Sequence, residues 1–304
     1  MKKKVLVVGG TGYLGKKVIE QLLSRDVKVR ALIRLGSDAT DLEKKGVKVF
    51  LGDLTKPESL LQPLEDADAV ITSAIGYSQR KKGDSLKSVD DIGNRNLVDA
   101  ARKMNIPRFV FTSILTADKA ESVPHFWQKK LIEDYLDQKG VPYVALRPGA
   151  FLDQNPKWDF WASGLKKGKL TVLGSKKAKW THILSDDLAK YLALSAINPN
   201  VPLGKIDIGT DEPLSMELLV KYASDYTGKT IKLASLPWPI MRTIFGLVGF
   251  FNPMMSDLKK MMDYFFTGQS IADTSIQKKA FGEVPTLKDS VFRYCERIGL
   301  KKLV

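Results

Sequence analysis

"VLVVGGTGYLG", Val5 to Gly15, decides how the rest of this chain is read. The apolar run Val5–Val8 gives way at once to a turn with glycine at positions 9, 10, 12 and 15. Gly9, Gly12 and Gly15 keep a G-x-x-G-x-x-G spacing. The pattern follows a strand and opens a helix, and that context makes a common motif informative. Glycines permit the tight turn and let the backbone approach a pyrophosphate. The helix start then offers free N–H groups and the positive end of its dipole. The expectation is a dinucleotide held by Gly9, Thr11, Gly12, Tyr13, Leu14 and Gly15.

From that turn onward, apolar runs alternate with helical patterns. Further strands are expected at Val27–Ile33, Val47–Leu51, Ala69–Ser73, Phe109–Thr112 and Val141–Leu146. Helices are expected at Gly12–Ser24, from Pro57, at Ser88–Met104 and at Phe126–Gln138. The strands are short, β-branched and apolar, as parallel strands covered on both faces are. The pattern predicts an α/β fold, a Rossmann-like doubly wound parallel sheet with helices on both faces. After Pro148 the alternation fades. A helix is expected to open at Ser185, with Ser185 as N-cap. Others are expected at Ser215–Thr227, Ile240–Phe250, Asp257–Phe266 and Leu287–Ile298, with one late strand at Ile206–Ile208. The 304 residues suit one large domain, or one core with a cap. They divide into an NAD(P)-binding domain, residues 1–150, and a smaller C-terminal α/β cap, residues 151–304, that is not an independent domain.

The end of the second strand chooses between the two nicotinamide dinucleotides. An acidic residue there bonds the ribose 2′-hydroxyl and repels a 2′-phosphate. This strand ends in Arg34, which can pair with a 2′-phosphate and lie on adenine, and the first acidic residue downstream is Asp38. NADP(H) is therefore favoured over NAD(H). In "GDL", Gly52 to Leu54, Asp53 is suited to accept from the adenine amino group, or to act as the turn residue before Pro57. "SAIG", Ser73 to Gly76, ends the fourth strand, where the backbone of Ser73 and Ala74 is expected beside the cofactor.

The net charge is +14, with lysines gathered at positions 166, 167, 169, 176, 177 and 179. A solvated basic face and a dock for an acidic partner or an anionic membrane surface both fit. No nucleic-acid motif accompanies the charge. The single cysteine, Cys295, excludes an internal disulfide. The first apolar run is too short for a signal peptide, and no run reaches the roughly 18 apolar residues of a membrane span. A soluble cytoplasmic protein is expected, with peripheral membrane contact left open. "LPWPIMRTIFGLVGFFNPMM", Leu236 to Met255, is the most apolar stretch. A cap over an apolar pocket, a homodimer surface and an interfacial membrane helix are its three readings. No metal centre is expected.

The glycine turn, "RALIR", "GDL", "RFVFTS" and "VPYVALRPGAF" together resemble the atypical short-chain dehydrogenase/reductase superfamily, in its NmrA-like and isoflavone-reductase-like form. The resemblance runs over residues 3–155 and weakly through "SDDLAKYLA". It implies a Tyr-x-x-x-Lys pair on the fifth helix, the tyrosine as proton donor. Here "HFWQKKLIEDYL" supplies His125 and Lys129, on one helical face by their spacing. Pairing Phe126 with Lys130 instead leaves an aromatic with no proton to give. Isoflavone-reductase-like relatives also lack the tyrosine and work with a lysine. The resemblance therefore implies that Lys129 holds the nicotinamide ribose and helps protonate the product. His125 is either a general acid or a helix-start residue with no proton role. Ser113 reads as a cofactor-side contact, because the superfamily's serine stands one residue further, at Ile114. Asp90 stands where many relatives carry an asparagine. "LRPGAFLDQN" resembles the nicotinamide-side loop, with Pro148, Gly149 and Ala150 toward the carboxamide and Phe151 and Asn155 on the substrate side. The whole implies an NADPH-dependent reductase of a small apolar or aromatic carbonyl or enone-like substrate. The missing tyrosine keeps open a second class, a non-catalytic NADP(H)-binding redox sensor or assembly factor.

Overall fold

The computed structural model describes residues 2–76, 83–153 and 159–303. The first half builds β1 (Lys4–Val8), α1 (Tyr13–Leu23), β2 (Lys28–Ile33), α2 (Thr40–Lys44), β3 (Lys48–Leu51) and α3 (Leu61–Leu64). It continues with β4 (Ala69–Thr72), α4 (Asn94–Lys103), β5 (Phe109–Thr112), α5 (Pro124–Lys139) and β6 (Tyr143–Pro148). The second half adds β7 (Ala150–Phe151), α6 (Phe160–Lys166), β8 (Lys169–Leu173), β9 (His182–Ile183), α7 (Ser185–Ile197) and β10 (Gly204–Ile208). It ends with α8 (Met216–Thr227), β11 (Lys232–Leu236), α9 (Trp238–Gly249), α10 (Pro253–Phe265), α11 (Ser275–Phe281) and α12 (Leu287–Arg297).

Seven strands form one sheet in the order β10-β6-β5-β4-β1-β2-β3, every neighbouring pair parallel. This is the expected Rossmann-like α/β sheet. Its two faces are legible in β1 alone, because successive strand residues point to opposite sides. Val5 and Val7 pack with Val18, Ile19 and Leu22 of α1 and with Leu188 and Leu192 of α7. Leu6 and Val8 pack on the other side with Leu97 and Val98 of α4. Chain order reverses between β1 and β4, so the crevice between their carboxyl ends is the switch point where such sheets bind ligands.

The second half does not stay apart from the first. β10 extends the main sheet by pairing with β6, and α7 packs against α1, with Lys17 bonded to Asp186. The nucleotide-binding layer therefore draws on residues beyond 150. The remaining residues make the cap. Its own core joins Leu219 and Ala223 of α8, Val291 and Tyr294 of α12, Leu170 and Val172 of β8, and Trp180. Two small parallel pairs, β8 with β11 and β7 with β9, were not expected.

Two helix starts differ from expectation. Leu184, not Ser185, is the N-cap of α7. The Ser185 backbone N–H and hydroxyl both donate to the buried Asp153 carboxylate, at 2.6 and 2.5 Å. The helix expected from Ser88 begins as a wide π-helical turn over Leu86–Gly93 before α4. Ser85 and Ser88 cap it reciprocally. The buried Asn94 amide then donates to the carbonyls of Val89 and Asp90, at 3.2 Å each. Side-chain donors thus satisfy backbone that the wide turn releases, and such turns concentrate at functional sites.

Candidate functional site

Every described residue expected to touch a cofactor lies at the carboxyl end of a strand in the main sheet or just beyond it. The exception is Lys129, which reaches in from α5. The glycine turn sits against β4. Gly9 has φ +86°, a conformation that favours glycine, and a Cβ there would come within 3.0 Å of Ser73 Oγ and 3.2 Å of the Ala74 nitrogen. Gly15 presses on the turn from α1, where a Cβ would lie 2.1 Å from the Gly9 carbonyl oxygen. The Gly12 N–H donates to that same oxygen at 2.9 Å. Gly12 is the N-cap of α1, with no side chain capping the helix start. The first-turn N–H groups, those of Tyr13, Leu14 and Gly15, are therefore left for an anion. Thr11 is half-buried in the turn, and Leu14 packs on the sheet core. The Tyr13 hydroxyl donates to Asp153 at 3.2 Å, which ties the turn to the cap.

At the adenosine end the side chains already have partners. Arg34 pairs with Asp84 through two bonds, at 2.5 and 3.1 Å. Asp53 accepts from the Thr55 N–H and hydroxyl, both at 2.8 Å. That is the turn role foreseen for it, and it leaves the second carboxylate oxygen outside this pairing. Leu54 is buried against Gly93. The glycine turn fits a pyrophosphate. Arg34 fits a 2′-phosphate only by sharing or leaving Asp84.

The chemistry-bearing groups gather around α5. Lys129 is buried, its ammonium 3.8 Å from Asp90 and 5.1 Å from the centre of the Phe111 ring. Burial pulls its pKa below the ordinary lysine value, and the Asp90 and Glu133 carboxylates oppose that pull. Asp90 lies in the π-helical turn and also accepts from the Gly76 N–H at 2.7 Å. One helical turn earlier, His125 Nδ1 stands 2.8 Å from Asp257 of α10. A carboxylate set against an imidazole in this way orients the ring. Ser113 is not open to the crevice through its hydroxyl. It donates to Glu133 at 2.6 Å, and Glu133 also takes two bonds from Arg147.

After β6, Gly149 lies on the Thr181 backbone. Ala150 and Phe151 pair with His182 and Ile183. Asn155 lies outside the described residues. Two groups on this side escaped the sequence reading. Asp257 carried no motif, since only the fold brings α10 over α5. His182 is buried between the rings of Trp161 and Trp180, at 5.8 and 5.7 Å. Its Nδ1 bonds the Trp180 carbonyl at 3.0 Å, which requires the proton on that nitrogen. Burial lowers its pKa to about 4, so the ring is neutral at neutral pH. Among the described residues no His, Cys, Asp and Glu cluster is arranged to hold a metal ion. No helix among them is long and apolar enough to cross a membrane.

A family model described as the NmrA-like family matches residues 1–284. The photosystem II assembly factor Ycf39 of Synechocystis sp. is 27% identical over an alignment 309 positions long, which covers 99% of this chain and 93% of that protein. The 2-alkyl-3-oxoalkanoate reductase of Stenotrophomonas maltophilia is 30% identical over 247 residues, 71% of this chain and 73% of that one. Among solved structures, the triphenylmethane reductase of Citrobacter sp. complexed with NADP(H) matches with a TM-score of 0.76 and 20% identity, covering 95% of this chain and 99% of that one. At that identity the likeness is one of fold.

Proposed function

The chain belongs to the NmrA-like family, and from that premise we propose that it is an NADPH-dependent reductase of a small apolar or aromatic carbonyl or enone-like substrate. The observation that carries the reading is the buried Lys129, flanked by Asp90 and Phe111 and one helical turn from His125. A lysine is costly to bury, so its retention beside the ligand crevice is best explained by a ligand.

When bound, the nicotinamide supplies hydride to the substrate. The N–H groups at the start of α1 hold the pyrophosphate, and Arg34 takes the 2′-phosphate. Asp53 and Leu54 would stand on the adenosine side, the Ser73–Ala74 backbone beside the cofactor, and Pro148, Gly149 and Ala150 toward the nicotinamide carboxamide, while the Ser113 hydroxyl stays on Glu133. Lys129 holds the ribose hydroxyls. His125, oriented by Asp257, or a water beside it, delivers the proton that the reduced product takes up. Phe126 and Trp180 belong to the aromatic cap core, with Trp161 packed against it, and Phe151 would lie on the substrate side. The relative named 2-alkyl-3-oxoalkanoate reductase supports this reading.

The test is NADPH oxidation by the purified protein against quinones, enones and aldehydes. Turnover that falls about a hundredfold in both His125→Gln and Asp257→Asn supports the proton-delivery pair. Turnover untouched by His125→Gln removes it.

A second reading has its own support. The absent tyrosine, and a relative named for photosystem II assembly, fit an NADP(H)-binding sensor or assembly factor. That reading gains if NADPH binds tightly, no substrate turns over, and NADPH changes the affinity for a protein partner.

A further inference from the structure

α9 is apolar on two faces at once. Trp238 meets Phe245 and Phe266, with ring centres 6.0 and 5.4 Å apart, so one face lies on α10 and the turn beyond it. Ile240, Ile244, Leu247 and Val248 recur at the spacing of a second face, and each is at least 44% exposed. Phe250 and Phe251, at the turn into α10, are each 85% exposed and pack edge-on against one another. No residue of α9 is buried. Its polar side chains are accounted for. Arg242 bonds Asp263, and the Thr243 hydroxyl donates to the Pro239 carbonyl. A second apolar face on a helix calls for a cover other than water, and a contiguous exposed patch of this kind marks an interaction site.

The neighbouring charge says what the patch meets. Lys166, Lys167, Lys169, Lys177, Lys179, Lys229 and Lys232 are exposed. Among the described residues none of these seven enters an ion pair with Asp or Glu. The β8–β11 pairing sets Lys169 beside Lys232 and Leu173 beside Leu236, two residues before α9. The Gly174 N–H donates to the Leu236 carbonyl at 2.8 Å, which fastens the turn leading to Lys176–Lys179 to the foot of the apolar helix. A basic strip without internal partners thus adjoins an apolar face, in a chain of net charge +14.

We propose that α9 and the Phe250–Phe251 turn form an interfacial anchor that enters the headgroup region of an anionic lipid bilayer, with the adjoining lysines on the lipid phosphates. Apolar burial and electrostatic attraction add in such anchors. The helix cannot span. Its 12 residues reach about 18 Å against a hydrocarbon core of about 30 Å. A second copy is a poor occupant, because a two-fold contact sets a patch against its own equivalent and would draw two basic strips together. The anchor is independent of any turnover by the crevice.

Sedimentation of the full chain with vesicles tests this. Vesicles of phosphatidylcholine with about one-third phosphatidylglycerol should bind the protein at least about tenfold better than phosphatidylcholine alone, and salt should weaken the binding. The combined variant Leu247→Ser, Phe250→Ser, Phe251→Ser alters only exposed side chains, and an unchanged thermal unfolding midpoint shows that it folds. It should lose binding at least about tenfold. Lys177→Glu with Lys179→Glu should flatten the salt dependence. Three results overturn the anchor. They are no binding to anionic vesicles, equal binding by the serine variant, and a wild-type dimer that the serine variant converts to monomer while vesicles recruit neither.

Discussion

Arg34 grips Asp84 with both arms of its guanidinium, and the Asp84 side chain is only 6% exposed. The carboxylate thus stands where the sequence points to a 2′-phosphate. Arg34→Ala should weaken NADPH by about ten- to a hundredfold and NADH little, the loss expected for one charge-assisted bond. Asp84→Asn keeps the shape and removes a competing negative charge, so it should tighten NADPH several-fold relative to NADH. Calorimetric titration of both dinucleotides measures this. Equal losses for NADPH and NADH in Arg34→Ala would remove the 2′-phosphate role.

Lys129 gives a pH test with a definite sign. Burial lowers its pKa from 10.5, and Asp90 opposes that fall. If the cationic form holds the ribose, kcat/KM should decline on the alkaline side below pH 10.5. In Asp90→Asn the opposing charge is gone, so the decline should begin at still lower pH. An alkaline limb that stays in place, or moves upward, argues against Lys129 as the titrating group. Lys129→Met should lose the limb together with most of the turnover.

Glu133 is fully buried and shared between Ser113 and Arg147. Glu133→Ala leaves the Arg147 guanidinium, itself largely buried, without its main partner. Breaking one side of a buried pair costs about 3–5 kcal/mol, to be read as a shift in the urea midpoint. Glu133→Leu with Arg147→Met removes both charges and should recover much of that loss. A double variant as unstable as Glu133→Ala would show that shape, not charge, sets this part of the core.

His182 makes stability depend on pH. Its folded pKa is lowered to about 4 from 6.5. The unfolded chain therefore takes up the proton first as the pH falls. The contribution is whole above pH 6.5 and is lost progressively down to about pH 4, by which point the loss amounts to about 3 kcal/mol. His182→Phe lacks this titration. Between pH 7 and 4 its stability should gain on the wild type by about that amount, measured by denaturant unfolding at each pH. Parallel pH profiles for the two proteins would exclude the effect.

The main sheet was readable because its strands advertise themselves. Val5–Val8, Phe109–Thr112 and the residues around Val144 are unbroken apolar runs bounded by turns, and local composition suffices for such strands. β8 and β11 were not readable in the same way. "KLTVL" and "KLASL" each carry a lysine and a polar residue, and only their mutual pairing makes them strands. The site divided along the same line. The glycine turn and Arg34 are local signals and could be named from spacing. Asp84, Asp257 and His182 act through partners 50, 132 and 21 or fewer residues away, and each juxtaposition exists only in the folded chain, that of Asp257 with His125 only once α10 lies over α5. Ser185 shows the converse error. A serine before two aspartates reads as a cap, but tertiary contact with Asp153 claimed its hydroxyl.

β10 carries a consequence for how this protein is made. During synthesis, β6 emerges with one side unpaired until residues 204–208 arrive to cover it. An open apolar strand edge invites pairing with other chains. A nascent or truncated chain that stops at residue 150 holds the whole glycine turn yet lacks its outer strand and the covering helix α7. The half that looks self-sufficient is thus the one most exposed to aggregation on the ribosome, and its protection is encoded some fifty residues downstream.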